Sequence, residues 1–128
     1  MLPATSAKRI LIIEDYADSA QILSIALQNA GHMPDVAATG REGLAMARGF
    51  RPDVVICDLG LPDIDGLSVA RAIRADPQLK DTWLIALTAY FLPAQVASAG
   101  FDECFRKPAD LQGLASLLLH EPPPRAPQ

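Results

Sequence analysis

The sequence predicts an α/β fold, a doubly wound parallel sheet with helices on both faces, and three observations predict it. Short apolar runs, "RILII", "DVVIC" and "WLIAL", lack polar alternation and suit strands covered on both faces. Stretches with helical spacing of apolar residues separate them. Strand and helix then alternate five times along the chain, the pattern of a parallel sheet joined by right-handed crossovers. A length of 128 residues is enough for one domain with a sizeable core.

The elements follow in order. "RILII" is the first strand, and Glu14 and Asp15 end it. "DSAQILSIALQNAG" is a helix with Ile22, Leu23, Ala26, Leu27 and Ala30 on one face, closed by Gly31 in the left-handed region. "MPDVAA" is a weak strand; Pro34 has no backbone donor, which places it at a sheet edge. "TGRE" reads as a capping box, in which Thr39 accepts from the Glu42 amide, and opens a helix to about Gly49 with Leu44 and Ala47 inward. "DVVICD" is the third strand. The next helix, "GLSVARAIRAD", turns Leu67, Ala70 and Ile73 inward and Arg71 and Arg74 outward, and Pro77 stops it. "WLIALT" is the fourth strand. Pro93 opens a short helix that Gly100 closes. "ECFRK" is a short fifth strand. Pro108 and Asp110 begin a last helix with Leu111, Leu114, Leu117 and Leu118 inward. The expected organisation is a loose lead-in over 1–7, one domain over 8–120, and a proline-rich, linker-like tail over 121–128.

Composition narrows the function. Half of the chain is apolar and 20% is charged, as in ordinary globular proteins. A net charge of −4 without a basic stripe argues against direct nucleic-acid contact. The scarcity of aromatic residues argues against base stacking. No apolar run reaches the length of a membrane span, and "MLPATSAKR" lacks the pattern of a signal peptide, so a cytoplasmic protein without a membrane contact is expected. Cys57 and Cys104 stand apart, with no zinc-ligand spacing, and read as buried reduced thiols.

Parallel sheets of this kind carry their sites beyond the carboxyl ends of the strands. The first strand delivers Glu14 and Asp15 there, the third Asp58, the fourth Thr88 and the fifth Lys107. Singly, each has a structural reading: an acid after a strand is commonly a turn residue or a helix cap. Together they are the parts for phosphoryl transfer to a carboxylate: a nucleophilic Asp, a metal seat, a cation and a hydroxyl. Three crowded carboxylates repel each other, and a hard cation such as Mg²⁺, with its oxygen shell, resolves the conflict. Gly60 lets a backbone carbonyl approach such an ion. Asp63 and Asp65 read as surface or helix N-terminal acids.

The stretches "LIIEDYADS", "DVVICDLGLPDIDGL", "ALTAY" and "FRKP", in this order from about Arg9 to about Leu119, resemble the receiver domains of two-component response regulators, the fold of the chemotaxis receivers. The wording around Asp58 is closest to receivers of hybrid histidine kinases. The resemblance implies a flavodoxin-like sheet with strand order 2-1-3-4-5 and a shortened fourth helix. It implies Asp58 as phosphoacceptor, Asp15 as a direct Mg²⁺ ligand, Glu14 acting through water, and the Gly60 carbonyl completing the shell. Thr88 and Lys107 engage the phosphoryl group, and the Lys107–Pro108 bond is cis. The implied donor is a sensor histidine kinase or a histidine phosphotransfer protein, with a further protein downstream. A receiver promotes its own phosphorylation and dephosphorylation and is otherwise no enzyme. Two features depart from the family. Cys104 stands where an aromatic residue is usual, three before the lysine, with Phe105 beside it. The segment from Thr88 to Gly100 is also short.

Two other readings compete with a stand-alone relay or docking receiver. A phosphatase of the haloacid dehalogenase type wants a second Asp two positions after the nucleophile, where this chain has Gly60. A receiver-like interaction module that is not phosphorylated has no need of the full acidic set and Lys107.

Overall fold

The structure, a computed structural model, describes residues 7–89, 93–107, 113, 114 and 118. Five strands, β1 (Arg9–Ile13), β2 (Met33–Ala37), β3 (Val54–Asp58), β4 (Trp83–Thr88) and β5 (Glu103–Arg106), form one parallel sheet in the order β2-β1-β3-β4-β5. Four helices, α1 (Ala17–Asn29), α2 (Gly40–Phe50), α3 (Gly66–Ala75) and α4 (Pro93–Ala99), link them. The strand order reverses between β1 and β3, so a crevice opens beyond the carboxyl ends of these two strands.

The apolar runs do what their lack of alternation requires. β3 and β4 are buried along their whole length. One face of the sheet offers Leu11, Ile13, Val55, Cys57 and Leu84 to α2, α3 and α4, and the other offers Ile10, Ile12, Val54, Ile56 and Ile85 to α1. β2 is an edge strand, as Pro34 requires. Thr39 caps α2 by accepting from the Glu42 amide at 3.1 Å. Gly31 (φ +94°) follows α1 and Gly100 (φ +111°) follows α4, both left-handed. Asp76, just before Pro77, leaves the helical region and ends α3. At 7 residues α4 is the shortest helix, against 10 to 13 in the other three.

Three expectations need correction. On α1 the seated face is Ala20, Leu23 and Leu27; Ile22 is 60% exposed, Ala30 is exposed and Ala26 is half-buried. Ile22 lies one residue, about 100°, around the helix from Leu23, which carries it off the sheet. Arg74 is not outward but folded in, because its donors meet backbone carbonyls between α3 and β5. Cys104 is only half-buried, although both cysteines are free thiols. Of the last predicted helix, Leu114 and Leu118 are helical and buried against the α1 layer. The rest of that helix, most of the lead-in, Pro108 and the tail lie outside the described residues.

Candidate functional site

The rim above β1, β3 and β5 gathers the acids and the lysine. The Glu14 amide donates to the Ala37 carbonyl at 3.0 Å, which carries the β1–β2 ladder one residue past the strand. The Glu14 side chain is thereby buried, with only 2% of the residue exposed. Asp58 ends β3 as the partner of Leu87 in β4, so Thr88, the last residue of β4, stands one position further up. The Lys107 amide donates to the Thr88 carbonyl at 2.9 Å, which extends the pairing of β5 and brings its side chain over the rim.

Carboxylate oxygens of Glu14, Asp15 and Asp58 lie within 4.8 Å of one another. The Lys107 ammonium donates to Glu14 Oε1 and to Asp58 Oδ2, both at 3.0 Å. Asp58 Oδ1 accepts from the Gly60 amide at 3.1 Å. Glu14 Oε2 is buried without a hydrogen-bond partner. Asp58 and Thr88 are buried, whereas Asp15 is exposed. Three acids therefore face one ammonium.

The electrostatics follow from that imbalance. Burial pushes the Glu14 carboxyl up to about 7; Lys107 opposes the rise and Asp58 adds to it. Burial acts to lower Lys107, but the carboxylates of Asp58 and Glu14 outweigh it and hold the ammonium above its usual range. Burial, with the neighbouring acids, pushes the Cys57 thiol up, so it stays protonated and is no nucleophile.

The loop after β3 shows what the other acids do. Asp65 caps α3 by accepting from the Ser68 amide at 2.8 Å. Asp63 serves a different helix: its oxygens accept from the amides of Gly40 at 2.8 Å and Arg41 at 2.9 Å, the first turn of α2. Gly66 lets α3 come close, since a Cβ there would lie 2.6 Å from the Asp58 carbonyl oxygen. The structure thus brings together Glu14, Asp15, Asp58 and Lys107, with the Gly60 amide on Asp58 and Thr88 on the neighbouring strand. Sequence reasoning missed the bridge from Asp63 to α2, because its partners lie 23 and 22 residues away. It also missed Arg74, whose partner Asp102 is 28 residues away. An acid-rich loop was the only signal for the first, and nothing local signalled the second.

The fold is that of the flavodoxin-like, chemotaxis-receiver class of α/β proteins. The family model for the response regulator receiver domain matches residues 10–119, and the chain belongs to that family. It is 35% identical to the virulence transcriptional regulatory protein PhoP of Salmonella typhimurium, over 90% of this chain and 58% of that relative. The chain thus spans little more than half of PhoP. Among solved structures it is similar to chemotaxis protein CheY4 of Vibrio cholerae, with 32% identity, a TM-score of 0.81, and coverage of 86% of this chain and 94% of that one. It is also similar to the receiver domain of a signal transduction histidine kinase from Syntrophus aciditrophicus, with 31% identity, a TM-score of 0.79, and coverage of 87% and 86%. Its function is two-component signal transduction by phosphorylation. Receiver domains accept phosphoryl groups from histidine kinases, bind Mg²⁺ at an acidic pocket, and are not turnover enzymes in the ordinary sense. No helix among the described residues is long and apolar enough to cross a membrane.

Proposed function

We propose that Asp58 is the phosphoacceptor of this receiver and that Glu14, Asp15, Gly60, Thr88 and Lys107 serve it. The observation that carries this reading is the position of Asp58: it ends the central strand β3 within the oxygen cluster, with one carboxylate oxygen on the Lys107 ammonium and the other on the Gly60 amide. A carboxylate oxygen of Asp58 attacks the phosphorus of a phosphohistidine, the P–N bond breaks, and the imidazole leaves. Lys107 follows the charge from the carboxylate to the incoming phosphoryl oxygens, and the Thr88 hydroxyl donates to one of them.

The donor set fits a hard dication. Three carboxylates within 4.8 Å and the unpartnered Glu14 Oε2 offer oxygen only. Asp15, Asp58 and the Gly60 carbonyl would hold Mg²⁺ directly, with Glu14 acting through water. Once bound, the ion supplies positive charge opposite the phosphoryl oxygens.

The acting unit in this reading is 8–120, a cytoplasmic relay or docking module that promotes only its own phosphorylation and dephosphorylation. Exposed Tyr16, just before α1, and Ile22 and Ile25 on α1 suit a docking histidine kinase or phosphotransfer protein. The downstream partner in this reading is a protein, and a net charge of −4 favours neither direct nucleic-acid nor membrane contact. Acetyl phosphate with Mg²⁺ tests the reading: one acid- and base-labile phosphoryl group per chain is expected, with none in EDTA. Sustained turnover of p-nitrophenyl phosphate would favour the phosphatase, and no labelling at all the unphosphorylated module.

A further inference from the structure

The loop over 59–65 joins β3 to α3 and carries Gly60 beside Asp58. Its ends are pinned by the backbone. The Leu59 amide donates to the Leu87 carbonyl and the Gly66 amide to the Leu59 carbonyl, both at 3.0 Å. Between these points, residues 60–64 make no backbone–backbone hydrogen bond among the described residues. Pro62 has no amide hydrogen to offer. Leu61 and Ile64 rest on the α2–α4 layer, but apolar contact has no direction and does not by itself fix a backbone.

The Asp63 side chain supplies the missing direction. Its oxygens accept from the amides of Gly40 at 2.8 Å and Arg41 at 2.9 Å. Such bonds are charge-assisted, and one on each oxygen fixes the orientation of the carboxylate as well as its place. Beside them, α2 and the loop meet closely: a Cβ on Gly40 would lie 2.5 Å from Ile64 Cγ1. The Arg41 guanidinium adds little, since it is exposed and 3.9 Å away.

Capping of α2 alone does not account for this arrangement. Thr39 already accepts from the Glu42 amide at 3.1 Å, and the Gly43 amide donates to the Thr39 carbonyl at 2.9 Å. Asp63 takes the other two amides of the first turn from 23 and 22 residues away, so its bonds act on the loop as much as on the helix. The helix is the firmer partner, because it is seated on β1 where a Cβ on Gly43 would overlap the Ile13 side chain. Gly60 is the loop residue that needs such a mooring: its amide donates to Asp58 Oδ1 at 3.1 Å. On the reading of Asp58 as phosphoacceptor and Gly60 as metal ligand, we propose that Asp63 is a positioning residue for phosphoryl transfer. Moored on α2, it keeps the Gly60 amide on Asp58 and the Gly60 carbonyl at the metal seat.

The test compares Asp63→Ala, Asp63→Asn and Thr39→Ala in the full chain. Both alanine variants lose a cap on α2 and should lower the Tm, but only Asp63→Ala frees the loop. In EDTA, amide exchange at Gly60 and Gly66 should be about tenfold faster in Asp63→Ala than in Thr39→Ala, the effect of a lost charge-assisted contact on local opening. Isothermal titration should show Mg²⁺ binding about tenfold weaker in Asp63→Ala, the low end for a residue outside a metal's own ligands. Asp63→Asn keeps one acceptor oxygen and should fall between Asp63→Ala and the parent, and Thr39→Ala should bind Mg²⁺ like the parent. Parental Mg²⁺ affinity in Asp63→Ala, or an equal loss in Thr39→Ala, would overturn the assignment and leave the phosphoacceptor untouched. A parent chain that binds no Mg²⁺, or takes no phosphoryl group at Asp58, would overturn that reading and this one with it.

Discussion

Two charged clusters in this molecule each set carboxylates against a cation and do opposite things. Beside β4 and β5, the Arg74 guanidinium donates to Asp102 at 2.9 Å and to the carbonyls of Gly100, Lys80 and Thr82. Asp102 accepts in turn from the Leu84 amide at 2.9 Å. Here charge meets opposite charge, and the pair ties α3 to the segments entering β4 and β5. Gly100 is part of the fit, since a Cβ there would meet the Arg74 side chain at 2.6 Å. On the rim, two of three clustered acids share one lysine and a carboxylate oxygen is left over. Matched charge fastens the chain, whereas an excess of one sign costs stability and is kept for a ligand of the other sign.

The largest expected effect separates the clusters directly. Arg74→Ala removes the guanidinium from a largely buried Asp102 and should cost about 3 kcal/mol of stability. Asp58→Asn in EDTA relieves repulsion and should stay within about 1 kcal/mol of the parent, or exceed it. Urea unfolding of both variants decides, and an equal loss in the two would make the rim a structural cluster as well. Next in size, Asp15→Asn should weaken Mg²⁺ binding by about tenfold or more, and by more than Glu14→Gln does, because a direct ligand must be replaced in a rigid octahedral shell. Isothermal titration with Mg²⁺ measures the order, and equal or reversed losses would reassign the ligand roles.

A smaller effect concerns Asp63, where slight burial acts to raise the carboxyl but the amides of Arg41 and Gly40 outweigh it and hold it at about 2, below the ordinary 3.8. A depressed acid contributes stability that is present above its unfolded value and lost as pH falls through its folded one. The Tm should therefore drop between pH 3.8 and 2, and Asp63→Ala should flatten that drop. An unchanged slope in the variant would show that the cap on α2 contributes nothing. The smallest effect lies at β5. Cys104 packs with the α2–α4 layer and Phe105 with the α1 layer, so Phe105 cannot stand in for a ring at position 104. With beryllofluoride as phosphate mimic, amide exchange should change around the loops after β3 and β4 and little along β5. Changes in β5 as large as those near Asp58 would refute a local response.

Much of this was legible in the sequence for a physical reason. A strand buried on both faces must be apolar throughout, so "DVVIC" and "WLIAL" announce themselves, and an acid ending such a run marks the rim. Thr39 acts on an amide three residues away and Pro34, Pro77 and Gly31 through their own backbone, so each was readable from its local sequence. Arg74 was misread, and Asp63, although a helix N-terminal acid as expected, serves a helix that was not foreseen, because their partners come from distant segments that only the folded sheet brings near. Ile22 failed for another reason: a helix rich in apolar residues offers more than one stripe, and only packing chooses between them. The shared use of Lys107 by Glu14 and Asp58 likewise needs β5 beside β4, which no local pattern contains.

The central claim is that the unmatched charge on the rim serves a phosphoryl group on Asp58. After acetyl phosphate treatment with Mg²⁺, borohydride reduction converts an aspartyl phosphate to homoserine, and mass spectrometry of the digested chain locates it. One homoserine at position 58, absent from Asp58→Ala and from the EDTA control, is the predicted result. Full labelling of Asp58→Ala, or homoserine at position 15 or 63 in the parent chain, would contradict it.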